Sequence, residues 1–217
     1  MTETGLVRMS ASRRMCHLFA GVVVVAAALL TGCQWAGTTG PRTALIGDSV
    51  TNGASREISS AVVATPARFL AHTANAQRVA EMLPALTVIV GERPARLVVA
   101  LGANDAGQNR TAAQMRADIR RFAGRATADG ACVRWLNLPT DVTTPNRAYR
   151  PGAARFNTIL ADETARLAAA GRDIAVADFD RWARRHPAAM FGDGLHIDPA
   201  GRPVFARWVA TVANRCA

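Results

Sequence analysis

Arg96-Leu97-Val98-Val99-Ala100-Leu101, closed by Gly102-Ala103-Asn104-Asp105, decides the fold of this chain. After the arginine the run is apolar at every position and stops at a glycine. That suits a strand buried on both faces better than a half-exposed strand, which would alternate apolar and polar residues. Similar short runs recur at Thr43–Ile46 (ended by Gly47), Ala67–His72, Cys132–Leu138 and Ile174–Phe179 (followed by Asp180). The stretches between them read as helices. Thr111–Thr127 sets Met115, Ile119 and Phe122 at helical spacing, and Ala153–Ala170 does the same with Phe156, Ile159, Leu160 and Leu167 before Gly171. Asn52–Pro66 and Ala80–Val90 are expected to add helix. Asp198-Pro199 reads as an N-cap and first-turn proline opening a last helix with Val204, Phe205, Trp208 and Val212 on its apolar face. Alternating strands and helices predict an α/β chain, a three-layer α/β/α sandwich around a parallel sheet of about five strands.

The polar motifs fall at predicted strand ends, the edge where open α/β sheets bind ligands. Gly47-Asp48-Ser49 follows the first strand and Gly102-Ala103-Asn104-Asp105 the third, and Asp193-Gly194-Leu195-His196 precedes the last helix. A serine hydroxyl is a poor nucleophile near neutral pH and needs a base, which in turn needs an orienting partner. Asp193 and His196, three residues apart, can share one turn, so the carboxylate can hold the ring while its far nitrogen reaches Ser49. Asn104 offers an amide donor for an oxyanion. Each residue also has a plainer role: Ser49 as a helix cap, Asn104 as a turn residue, Asp193 and His196 as a loop-closing pair. Asp48 and Asp105 are expected to accept backbone N–H bonds near the site, Asp198 to cap a helix, and His72 and His186 stand outside any motif. Asp141–Gly152, the longest loop, could border a cleft. No Gly-x-Ser-x-Gly elbow is present, which argues against the α/β-hydrolase fold. No ligand spacing for a metal is seen, and no cofactor is expected.

In these three blocks the chain, from about Arg42 onward, resembles the SGNH (GDSL-type) hydrolases. The resemblance implies a flavodoxin-like three-layer fold and hydrolysis or transfer of acyl groups. It assigns Ser49 as nucleophile, His196 as base and Asp193 as its partner, with the Ser49 N–H and Asn104 amide facing the oxyanion. A further family block carries a glycine whose N–H also faces the oxyanion, and the matching stretch Ala74-Asn75-Ala76-Gln77-Arg78 puts Gln77 there. Glutamine still supplies an N–H, but a φ > 0 backbone would strain it. The expected activity is a serine esterase acting on short acyl esters. O-acyl transfer to an envelope polysaccharide, or a scaffold that binds without turnover, remains open.

Arg13 and Arg14 precede an apolar stretch, Leu18–Leu30, and then Thr31-Gly32-Cys33. The stretch is shorter than the about 20 residues of a spanning helix, so residues 1–32 read as a secretory signal. Leu30-Thr31-Gly32-Cys33 resembles a bacterial lipobox, which implies a lipidated Cys33 and an extracytoplasmic, membrane-anchored protein. Residues 33–41 read as a tether and residues 42–217 as the domain. Cys132 and Cys216 remain as an even pair in an oxidising compartment, a disulfide or two buried thiols. All 26 basic residues are arginine, for a net charge of +10. Such a surface could attract an anionic polymer, or simply reflect a codon bias. The arginines are spread along the chain without a nucleic-acid motif, so no nucleic-acid partner is expected. The expected state is a monomer.

Overall fold

The computed structural model describes residues 35–143 and 146–216. The expected signal segment, 1–32, and Cys33 lie outside them. Five parallel strands form one sheet in the order β2-β1-β3-β4-β5: β1 Arg42–Gly47, β2 Arg68–Thr73, β3 Arg96–Ala100, β4 Cys132–Leu136 and β5 Ile174–Ala177. The helices are α1 Ser49–Asn52, α2 Ser55–Val63, α3 Leu83–Gly91, α4 Ala103–Gly107, α5 Ala112–Ala126, α6 Tyr149–Ala169, α7 Phe179–Arg185 and α8 Arg202–Asn214. This is the doubly wound order of flavodoxin-like sheets. The chain steps one way from β1 to β2 and the opposite way from β2 through β5. Right-handed crossovers therefore put α2 on one face and α3, α5 and α6 on the other. The last helix, α8, packs beside α2. Both faces are thus covered, and Ala44, Leu45, Ile46, Leu97 and Val99 are fully buried.

Several boundaries differ from expectation. β4 ends at Leu136 rather than Leu138, whose N–H turns to Asn157 Oδ1 (2.8 Å). Phe179 belongs to α7 rather than to the fifth strand, because Asp178 accepts from the Arg181 N–H and starts the helix there. Asp198-Pro199 does not open the last helix. Asp198 instead closes a turn, with its carboxylate accepting from Ala200 N (2.9 Å) and its carbonyl from Gly201 N (2.8 Å). The helix begins at Arg202, with Pro203 in its first turn. Finally, α6 starts at Tyr149, so the loop from Asp141 ends before Gly152, with Pro151 in the first turn.

Arginines finish the edge of the sheet away from the motifs. Arg42 donates to Glu92 O (2.7 Å), Arg172 to Thr127 O (3.2 Å) and Arg134 to Arg215 O (3.1 Å). These carbonyls close α3, α5 and α8, the helix ends that carry negative partial charge. At the same edge Ala36 forms an antiparallel bridge to Phe69 through two 2.7 Å hydrogen bonds, and the Trp35 indole donates to Glu92. The segment just before β1 thereby covers the outer strand β2. Cys132 and Cys216 are joined as a disulfide, tying the chain end to the start of β4.

Candidate active site

In a doubly wound sheet the crevice forms where the strand order reverses, here between β1 and β3, outside their carboxyl ends. Ser49 follows β1 and Asn104 follows β3, so the topology alone brings these two motifs to one place. Gly102 makes the second connection possible. It has φ +127, and a Cβ there would lie 2.2 Å from the Phe156 ring, so only glycine lets β3 pass directly into α4 over that ring. Phe156 is held in turn against Trp135, whose indole donates to Leu101 O (3.1 Å).

The Asp193–His196 segment is a turn closed on itself. Met190 and Ile197 form an antiparallel bridge, and the Phe191 N–H donates to His196 O (2.8 Å). Gly194 takes φ +71 against the backbone of Asp141 and Val142, where a Cβ would come within 2.9 Å of Asp141 O. Asp193 Oδ1 accepts from the Leu195 and His196 N–H groups (2.9 and 3.0 Å), and its Oδ2 lies 2.7 Å from His196 Nδ1. His196 Nε2 lies 3.0 Å from Ser49 Oγ, across 147 residues of sequence. Partial burial pushes the Asp193 pKa up, but the ring and the two N–H donors outweigh it and hold the carboxyl below its usual range. Both His196 and Asp193 keep about a third of their side-chain surface exposed, 37% and 32%, so solvent reaches them.

The loop opposite is pinned at several points. Ala74 N donates to Gly47 O, Asn52 links Thr73 to Asn75, and Val79 N donates to Asp105 Oδ2 (3.0 Å). Asn104 Nδ2 donates to Gln77 O (3.0 Å), which fixes the amide and leaves its second N–H free. The strain anticipated for Gln77 falls one residue earlier. Ala76 is the residue with positive φ (58°), so Gln77 keeps an ordinary backbone while alanine takes the left-handed position. The Gln77 side chain folds back onto Asn75 O.

Asp48 and Asp105 accept backbone N–H bonds, as expected of them. Asp48 Oδ1 takes the Val50 N–H (3.0 Å), and its burial, partly offset by that bond, pushes its pKa up to about 7. Burial likewise raises Asp105 to about 6. His72 is exposed, whereas His186 stacks on Trp182 with Nδ1 2.9 Å from Trp182 O. Three contributors went unread in the sequence. Thr143 supports the turn, its N–H donating to Asp193 O (3.0 Å) and its hydroxyl to Gly192 O. Asn52 and Asn75 brace the opposite loop. All three act through tertiary contacts that carry no local spacing signal. Beside Asp193 a hollow of about 350 Å³ is lined by Asp141, Thr143, Phe191, Gly192 and Gly194 among others, so the start of the long loop does border a cleft.

A three-layer α/β sandwich whose sheet edge presents a Ser, His and Asp in hydrogen-bond sequence has the frame of a serine acyl hydrolase. Residues 45–202 match the GDSL-like Lipase/Acylhydrolase family, and the chain belongs to that family. Among solved structures it is similar to a lipase/acylhydrolase from Enterococcus faecalis (17% identity, 81% of this chain and 97% of that one, TM-score 0.65). It is also similar to an acetylxylan esterase from Geobacillus stearothermophilus, crystallised as a catalytic mutant (13%, 82% and 95%, TM-score 0.65). A third is the C-terminal catalytic domain of Streptococcus pneumoniae peptidoglycan O-acetyltransferase A (21%, 82% and 96%, TM-score 0.56). No curated protein sequence matches.

Proposed function

We propose that this protein is an exported, lipid-anchored serine esterase that removes short acyl groups, with Ser49, His196 and Asp193 as its triad. The observation that carries the reading is the unbroken chain from Ser49 Oγ through His196 to Asp193, at 3.0 and 2.7 Å. His196 Nε2 takes the hydroxyl proton as Ser49 Oγ attacks the ester carbonyl, and Asp193 holds the opposite N–H and steadies the imidazolium. The tetrahedral oxyanion is met by the Ser49 N–H, the free Asn104 N–H and the Gln77 N–H. His196 then returns the proton to the leaving alcohol, and water releases the acyl group by the same steps in reverse. The hollow beside Asp193 offers room for the alcohol part. The fold alone is shared with an acetylxylan esterase and a peptidoglycan O-acetyltransferase, which makes a sugar-borne acetyl ester a sensible first substrate.

Labelling of the full-length chain with a fluorophosphonate probe tests the activated serine without knowing the substrate. Wild type should label and Ser49→Ala should not, and p-nitrophenyl acetate hydrolysis should follow the same pattern. Equal hydrolysis by the two proteins, or no labelling of wild type, rules the triad out and leaves a binding scaffold. The solvent access of His196 also admits a sugar hydroxyl as acceptor in place of water. Acetylated sugar formed from p-nitrophenyl acetate plus a supplied glycan would make the protein a transferase; free acetate alone makes it a hydrolase.

A further inference from the structure

A second hollow, of about 570 Å³, lies between α7 and α8. Four arginines line it, Arg181 and Arg185 from α7, Arg207 from α8 and Arg215 just beyond it, with Trp208 and His186 among them. All four arginines are exposed, and among the described residues none is in an ion pair with a carboxylate. Elsewhere on the surface, Arg110, Arg116, Arg120, Arg134, Arg166 and Arg184 are each matched to an aspartate or glutamate. One carboxylate, Asp178, also lines the hollow, its Oδ1 accepting from Asn137 Nδ2 and the Arg181 N–H. Four positive charges against one negative raise the local potential and favour an anion there.

The hollow also has a rigid apolar wall. Trp208 is only half-buried and is backed by Phe179, Trp182 and Phe205 at ring distances of 5.9, 5.5 and 5.9 Å, so a ligand would meet it without ordering it first. The charge continues past this space. Arg207 also lines a neighbouring hollow of about 390 Å³ between α2 and α8, together with Arg56 and Glu57. The result is a stripe of five arginines against two carboxylates, Asp178 and Glu57, over two adjoining hollows, a net positive surface too extended for one small anion.

We propose that this stripe binds an anionic polysaccharide. The planar guanidinium groups pair with successive carboxylates through two parallel N–H···O bonds, and a sugar ring lies against Trp208. A single-stranded nucleic acid is a poorer fit, because it draws on several open ring faces for its bases. Here Trp182 is buried, with the His186 ring stacked on it at 4.6 Å. An anionic membrane is also a poorer fit, since its interface favours apolar side chains that protrude, and these line a recess. The binding does not depend on the triad, so it stands or falls separately from the esterase reading.

The test is affinity electrophoresis of the full-length chain with polygalacturonate at physiological salt. Arg185→Ala/Arg207→Ala should weaken binding at least tenfold. Arg121→Ala/Arg125→Ala removes the same charge from exposed positions on α5 and should change it less than twofold. Arg185→Lys/Arg207→Lys keeps the charge but not the fork and should fall between. Neutral dextran should not bind. Equal losses in the two alanine pairs would show general attraction and overturn the proposal. So would the absence of polygalacturonate binding, or tighter binding of single-stranded DNA or of phosphatidylglycerol vesicles lost in the Arg185/Arg207 variants.

Discussion

Replacing Asn104 by alanine separates two functions that its amide combines. One N–H donates to Gln77 O at 3.0 Å and braces the loop after β2; the other is assigned to the oxyanion. Loss of an oxyanion donor costs about 100- to 1,000-fold in kcat, or about 3–4 kcal/mol. Loss of the brace removes one hydrogen bond, about 1 kcal/mol, which for a domain of this size lowers Tm by about 2–4 °C. The oxyanion exists only on the way through the reaction, so kcat should carry the loss while KM stays near its original value. Steady-state hydrolysis of p-nitrophenyl acetate with thermal unfolding of the same samples reads both effects. Asn104→Asp retains the shape but removes both donors and adds charge facing the developing oxyanion, so it should be at least as inactive. If Asn104→Ala keeps more than a tenth of wild-type kcat, or loses activity through KM alone, the oxyanion assignment is wrong.

Three further outcomes follow from the hydrogen bonds and burial. Glu163, 1% exposed, joins α6 to α5 through Arg116 and Arg120 and is also paired with Arg166, and these arginines hold its pKa at about 2. That stabilisation is present above the ordinary carboxylate pKa and fades as pH falls toward 2. The three arginines are about half exposed, so Glu163→Gln should cost about 2 kcal/mol at pH 7, roughly 4–8 °C in Tm, and less than half of that at pH 3. For Asp48 the sign is opposite, because its folded pKa is raised to about 7: its favourable contribution is complete below about pH 4 and lost as pH rises through 7. Asp48→Asn should therefore gain on wild type between pH 5 and pH 8, by about 1–2 kcal/mol in denaturant melts; a constant difference would mean Asp48 is ionised throughout. Replacing Cys132 and Cys216 by alanine opens a crosslink spanning 84 residues and should cost about 2–4 kcal/mol, read as the shift in urea midpoint.

The strands were legible because burial on both faces leaves no alternation, so Arg96–Leu101 and Thr43–Ile46 announce themselves as short apolar runs. Helix starts were less legible, since a cap is decided by which backbone N–H a side chain reaches. Asp178 falls inside the run read as the fifth strand yet caps α7, while Asp198 looks like a cap and closes a turn. The three motif blocks were readable by residue type and order, but the residues that hold them were not. Nothing in the spacing of Thr143, Asn52 or Asn75 shows that they support the Asp193 turn and the Gln77 loop. The left-handed residue was misplaced by one position for a similar reason. A glycine would have marked it, whereas Ala76 adopts φ 58 within a loop tied by Ala74 at one end and Asp105 at the other.

The proposed triad divides into a local part and a tertiary part. Asp193 and His196 belong to one turn, closed by the Met190–Ile197 bridge and by the two N–H bonds onto Asp193 Oδ1. Base and orienter can therefore shift together without losing their 2.7 Å contact. The 3.0 Å contact of His196 with Ser49 depends instead on how that turn docks against the sheet. Two close approaches control the docking: Gly194 against Asp141, and Gly201 against Ala189, where a Cβ would come within 2.2 Å of the carbonyl oxygen. Gly201→Ala should then leave the Asp193–His196 pair intact yet move it off Ser49. The expected result is a kcat drop with the downfield Nδ1–H proton signal of His196 retained. Loss of that signal together with activity would mean that the turn is not a self-contained unit and that its geometry, too, is imposed by the rest of the fold.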